Sequence, residues 1–219
     1  MEKEENSSLG HRLNMILHDK KGENLNQVIE KALADKDILS EVLRGQISKD
    51  ETCRYNCFKV LYQISESHPA VVYPKWDEIT GLLESENSYH RMAAVHLLSN
   101  LTVVDTEKKF DTIFDRFFLL LDDPSMIVAR YLAGNAGKIV RAKPEFQYQI
   151  TKKLLAIDAT HHREDRKDLI KHDIIQSFIE FYENIPDKDE VMTFVRNQQN
   201  SSSPKTRKIT RDFLKRFSE

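Results

Sequence analysis

The sequence predicts an all-α protein, and three observations carry that prediction. Apolar residues recur at i, i+3, i+4 and i+7 along nearly the whole chain, the period of a helix with one buried face. Alternating apolar and polar runs, the mark of half-buried strands, are scarce. Only 6 glycines and 6 prolines interrupt 219 residues, too few for a fold built from tight turns. Apolar residues, at 40 %, supply a core, and 31 % charged residues cover it.

The elements follow in order. NLNQVIEKALAD reads as the second helix of a degenerate leading unit, and DILSEVLRGQI as the first helix of the next. DETCRYNCFKVLYQIS then carries the stripe Cys57, Phe58, Leu61 and Ile64. The same spacing returns 37 residues later as Ala94, Val95, Leu98 and Leu101, and 38 further on as Leu132, Ala133, Ala136 and Ile139. It returns after 42 more as Ile174, Ile175, Phe178 and Phe181, and after another 39 as Phe213, Leu214 and Phe217. Partner helices lie between, with stripes Trp76–Ile79–Leu82–Leu83, Phe110–Ile113–Phe114–Phe117–Leu120–Leu121, Phe146–Ile150–Leu154–Leu155 and Val191–Phe194–Val195. Asp50, Asp123, Asp187 and Ser203 stand where helices begin, as capping residues do. Pro124 and Pro204 follow caps at the first helical position, while Pro69, Pro144 and Pro186 fall where second helices end.

A two-helix unit of 37–42 residues cannot bury both faces alone, so successive units should stack. These stripes and their spacing resemble the HEAT-repeat, armadillo-like α-solenoid family over roughly residues 24–217. The resemblance implies a right-handed α-α superhelix of about five two-helix repeats. It places one solenoid at 9–219, with repeats near 9–35, 36–67, 70–104, 106–141, 144–183 and 187–218, behind a disordered tail at 1–8. The family links repeats through an acidic residue near the inter-helix turn and an arginine early in the second helix. Asp50 with Arg54 and Glu86 with Arg91 match that ladder. Asp123 also matches, but Arg130 stands one residue late and the next unit has Lys171. No subfamily follows, and an architecture does not name an activity.

Composition narrows the classes. A net charge of −2 gives no global attraction to nucleic acid or anionic membrane. The two cysteines, Cys53 and Cys57, are too few for a disulfide framework, and no second pair completes a zinc site. MEKEENSSLG has no apolar run, and FFLLL is too short to span a bilayer, so a cytoplasmic protein is expected.

Several motifs invite chemistry. LAGNAGKIV ends like a phosphate loop, yet Leu132 replaces the leading glycine, Ile139 the Ser or Thr, and no strand precedes it. In HHREDRKDLIKHD, Asp165, Asp168 and His172 share a helix face that could hold a metal, but interleaved cations favour a solvated face. The family includes alkylpurine DNA glycosylases that use tryptophan and aspartate on a basic concave face. Trp76-Asp77 offers that pair, but Trp76 falls on an apolar stripe. No cofactor is expected.

The resemblance places partners on the concave face, lined by second helices. Opposite each stripe the register puts Lys59, His96, Gly134 and Gln176; a turn on come Tyr62, Ser99, Gly137 and Ile179; beside these run Gln63, Asn100, Lys138 and Glu180. This mixed polar row suits a protein or peptide better than a nucleic-acid backbone. Gly134 and Gly137 would leave a shallow hollow of bare backbone rimmed by His96, Lys138 and Arg141. The last segment, from Ser201, carries Lys205, Arg207, Lys208, Arg211, Lys215 and Arg216 against Asp212 and Glu219, leaving −6 on the rest. It reads as a polar terminal cap or as an anion-docking helix. The expected function is a non-catalytic scaffold, a monomer or weak oligomer, that binds a protein or peptide. The alternatives are a HEAT-repeat enzyme such as a glycosylase or cofactor lyase, and a nucleic-acid binder using the basic helix.

Overall fold

The computed structural model describes residues 12–217, and the expected tail at 1–8 lies outside them. Among the described residues all regular structure is helical, with no strand. No helix is long and apolar enough to cross a membrane. The chain divides into two compact units between Ile79 and Thr80.

The first unit opens with a helical segment over 12–17, then α1 (Leu25–Ala34), α2 (Lys36–Gly45), α3 (Glu51–Ser67), the short α4 (Pro69–Val72) and the start of α5 (Trp76–Gly81). Local chemistry sets these boundaries. The Asp35 carboxylate accepts the Asp37 N–H at 2.8 Å to start α2, and Asp50 accepts the Cys53 N–H at 2.8 Å to start α3. Pro69 lacks the N–H that would continue α3 and opens α4 instead. Cys57, Val60, Leu61 and Ile64 of α3 are fully buried, against Val28 and Ala32 of α1 and Leu39 and Val42 of α2 in the same core. Burial of each such aliphatic side chain stabilises the fold by roughly 1.5–3 kcal/mol. Gly45 lets α2 approach α3 closely: a Cβ there would lie 2.2 Å from the Cys57 Sγ. Trp76 is 2 % exposed, so the tryptophan is core, as its stripe predicts.

The second unit completes α5 and continues with α6 (Ser88–Leu101), α7 (Lys109–Leu119), α8 (Met126–Ala142), α9 (Gln147–Leu155), α10 (Glu164–Phe181), α11 (Lys188–Arg196) and α12 (Pro204–Phe217). Helices α6, α8, α10 and α12 each pack on the next. Their stripes are buried, with Ala94, Leu98, Leu132, Ala136, Ile174, Phe178 and Phe213 all inaccessible, except that Leu214 and Phe217 of α12 are only half-buried. Phe114 of α7 stacks on Phe146 at 4.7 Å between ring centres, and Phe110 meets Phe117 edge-on at 5.4 Å. Short 3₁₀ turns close the intervening helices at Leu82–Glu84, Leu120–Asp122, Ala156–Ala159 and Asn197–Asn200.

One boundary differs from its expectation. Helix α8 starts at Met126, so Pro124 is not its first residue and Asp123 is not its cap. The Asp123 carboxylate is occupied elsewhere: it accepts the Ser125 N–H at 2.7 Å and both arms of Arg91, at 2.6 and 2.8 Å. Asp187 caps α11 as expected, accepting the Asp189 N–H.

A recurring contact marks the turns. Arg54 Nη1 donates to the Ser48 carbonyl at 2.9 Å, Arg91 Nη1 to the Ser85 carbonyl at 2.6 Å, and Arg207 Nη1 to the Ser201 carbonyl at 2.6 Å. Each arginine reaches back six residues to satisfy the turn before its helix. The first two stand 37 residues apart, so the sequence spacing is also a hydrogen-bonding spacing.

Candidate binding site

The first unit holds a groove of about 560 Å³ between α3 and the chain that leads into α1. Left-handed residues shape its loop wall: Gly22 has φ 63° and Asn24 φ 64°, turning the chain sharply before Leu25. A side chain at Gly22 would also crowd Asn56 Oδ1 at 3.2 Å and Lys59 Nζ at 3.4 Å. Asn56, buried on α3, pins the loop by donating to the Leu17 and Asp19 carbonyls at 3.0 and 2.9 Å. The α3 wall presents Phe58, Lys59, Tyr62, Gln63 and Glu66, one face at helical spacing. Leu25 and Ile29 of α1, with Phe58, make the apolar floor.

The groove's polar groups are ordered. Tyr62 donates its hydroxyl to Glu66 Oε1 at 2.8 Å, and its ring lies 5.8 Å from that of Phe58. Burial, with Glu66 beside it, raises the Tyr62 phenol to about 12, so it stays a donor at neutral pH. Lys59 Nζ lies 4.5 Å from the centre of the Tyr55 ring and has no carboxylate partner among the described residues. Cation and anion therefore stand at opposite ends of one helix face, about 10 Å apart along the axis at ~1.5 Å per residue.

The corresponding positions of the second unit are spent between helices. His96 on α6 faces the Tyr131 ring of α8 at 4.5 Å, and Asn135 donates to its Nδ1 at 3.2 Å. Lys138 donates to Asn100 Oδ1 at 2.5 Å, and Arg141 pairs with Glu180. Arg130 forks onto Asp173 at 2.6 and 3.2 Å. Ser99, Asn100 and Gly137 are buried rather than facing a partner. The expected hollow is filled: a Cβ at Gly137 would fall 2.6 Å from Glu180 Oε2 and 3.1 Å from Glu180 Cβ. Ser177 locks the same approach, its Oγ donating to the Ala133 carbonyl at 2.5 Å. Gly134 stays exposed, its nearest neighbour Asp173 Cβ at 4.0 Å, and Arg141 and Gln176 are exposed as well. The reason is geometric. Helix α8 is flanked by both α6 and α10, so its buried arc is wider than one stripe.

The C-terminal helix keeps its basic face. Lys205, Lys208, Arg211 and Lys215 lie along one side of α12, exposed and without a carboxylate partner among the described residues. Arg207 is committed to the turn, donating to the Ser201 and Ser202 carbonyls, and Arg216 lies 4.8 Å over the Phe217 ring.

No protein-family model matches the chain, and neither a curated protein nor a solved structure shows significant similarity to it.

The structure does not bring Asp165, Asp168 and His172 together. Asp165 meets Arg163 and Arg166, Asp168 accepts from Ser202, and His172 bonds Asp173. Phe58, Glu66 and the wall around Asn24 were missed as site residues. Phe58 lay on the core stripe, and the loop wall depends on left-handed residues that carry no periodic signal.

Proposed function

We propose that the protein is a non-catalytic binding module, and that the α3 groove takes an extended peptide segment carrying a carboxylate. The observation that carries this reading is Lys59, a cation without a carboxylate partner, set over an apolar floor beside the ordered hydroxyl of Tyr62. From Phe58 to Glu66 the wall runs about 12 Å along the helix, room for roughly four extended residues. A carboxylate would meet Lys59, apolar side chains the floor of Leu25 and Ile29, and a donor or cation Glu66. We further propose that the helices form a HEAT-like solenoid. The recurring stripes, the arginine-to-carbonyl contacts and the Arg91–Asp123 link between successive turns support that architecture.

Selection of peptides from a random displayed library against the purified chain tests the groove. Selected peptides should share an acidic residue and lose binding by about tenfold or more in Lys59→Ala and Tyr62→Ala, a loss of roughly 1.4 kcal/mol each. Peptides that bind both variants as well as the parent would sink the assignment.

One observation favours a second reading. The unpaired basic row of α12 suits docking to an acidic protein surface. Reversing Lys208 and Arg211 to glutamate should abolish a salt-sensitive association; a partner retained equally by the variant would remove it.

A further inference from the structure

We propose that Asp122, His161 and His162 form a binding site for a borderline divalent transition-metal ion of the zinc class. One ring nitrogen from each histidine and one Asp122 oxygen lie within 4.8 Å of one another. The site joins two turns of the second unit. Asp122 ends the 3₁₀ turn after α7, and the histidines follow the 3₁₀ turn after α9. The fourth stripe stands 42 residues after the third, against 37 and 38 for the earlier intervals, and this turn is where a longer unit can carry the pair.

His162 supplies the independent observation. It is 7 % exposed, and its Nε2 lies 3.0 Å from the Leu121 carbonyl. A carbonyl only accepts, so Nε2 carries the hydrogen and Nδ1 of the neutral ring keeps its lone pair. That Nδ1 has no partner among the described residues. A buried imidazole anchored to backbone by one nitrogen, with the other free, is how metal-bound histidines are oriented. His161 lies beside it, ring centres 4.4 Å apart, and donates its backbone N–H and Nδ1 to Asp122 Oδ1 at 2.8 and 2.5 Å. Asp122 and His161 are both half exposed, so their side chains can rotate to a shared ion. Two imidazoles and a carboxylate suit zinc, nickel or copper and leave a fourth position for water. Cations nearby are matched: Arg163 by Asp165, Lys167 by Glu164 and Lys171 by Asp158. This site is independent of the α3 groove.

The test uses the full chain without a histidine tag, stripped with chelator and titrated calorimetrically with zinc chloride. One ion should bind per chain and raise the melting temperature. Asp122→Asn and His161→Ala, both at exposed positions, should each weaken binding about tenfold or more, whereas His172→Ala should not. Cobalt(II) should give four-coordinate visible bands in the parent and lose them in His161→Ala. No saturable binding by the parent, or equal affinity in the Asp122→Asn/His161→Ala double variant, overturns the site.

Discussion

Helices α3 and α8 carry the same stripe in corresponding places of the sequence, yet they use the opposite face differently. On α3, Lys59, Tyr62 and Gln63 line an open groove. On α8, Gly137 and Lys138 are drawn into contacts with α10 and α6, while Gly134 stays exposed. The stripe fixes which face of a helix is buried first. What packs on its flanks decides how much of the remainder is left for a partner. A polar residue opposite a stripe is therefore a docking candidate on one helix and mortar on another.

The sharpest way to break this comparison is at the α6–α8 seam. Arg91 and Asp123 are nearly inaccessible, their side chains 12 % and 1 % exposed. Arg91→Met should cost about 3–5 kcal/mol, because it leaves a buried carboxylate without its counter-ion. Urea unfolding measures this; a cost below ~1 kcal/mol would mean the seam is held by its apolar contacts alone. The two glycines come next and should respond with opposite signs. Gly137→Ala meets Glu180 and should destabilise by about 1–3 kcal/mol. Gly134→Ala has room and should stabilise by about 0.5–1 kcal/mol through helix propensity. Equal effects would show that the close approach of α10 is not rigid.

The groove should behave in the reverse manner. Lys59→Ala and Tyr62→Phe should shift stability by no more than ~0.5 kcal/mol. They should nonetheless reduce peptide binding, which separates a docking wall from a structural seam. The smallest effect lies where Asp168 of α10 meets the turn before α12. Burial alone would push the Asp168 carboxyl up, but the Ser202 hydroxyl, Ser201, the Ser202 N–H and Lys171 outweigh it and hold it below the usual range. A carboxyl lowered in the folded state contributes stability above its unfolded value, near 4, and loses it as the pH falls through the folded value. Asp168→Asn should flatten that acid limb by less than about 1 kcal/mol, read from melting temperatures between pH 6 and pH 2.

Much of this fold was legible in the sequence, because periodicity records burial directly. Leu98, Ala136, Ile174 and Phe213 could be placed in the core by spacing alone. The caps Asp50 and Asp187 could be placed by type. Asp123 misled because its carboxylate serves Arg91, a residue 32 positions earlier that no local rule connects to it. The site was half legible. Lys59 and Tyr62 share one helix face, so the register found them. Asn100 and Gly137 failed because that register assumes one buried side, and each lies where a neighbouring helix packs, Asn100 against Lys138 of α8 and Gly137 against Glu180 of α10. The Asp122–His161–His162 cluster spans 39–40 residues, so no motif joined it; the adjacent histidines opening HHREDRKDLIKHD and the longer interval to the fourth stripe were its traces.

Cys53 and Cys57 have a consequence of another kind. Their sulfurs are 3.9 Å apart, buried beneath Gly45, and burial with the neighbouring sulfur pushes the Cys57 thiol up. A native thiol placed as Cys57 is makes a poor nucleophile. The chain has no other cysteine, so both thiols belong to the first unit. Modification of Cys57, which is wholly inaccessible, must then wait for that unit to open, and its rate, divided by that of a free thiol, gives the opening equilibrium. The wall behind the groove thus carries its own clock, one that needs no engineered label and that a substitution in α3 would reset.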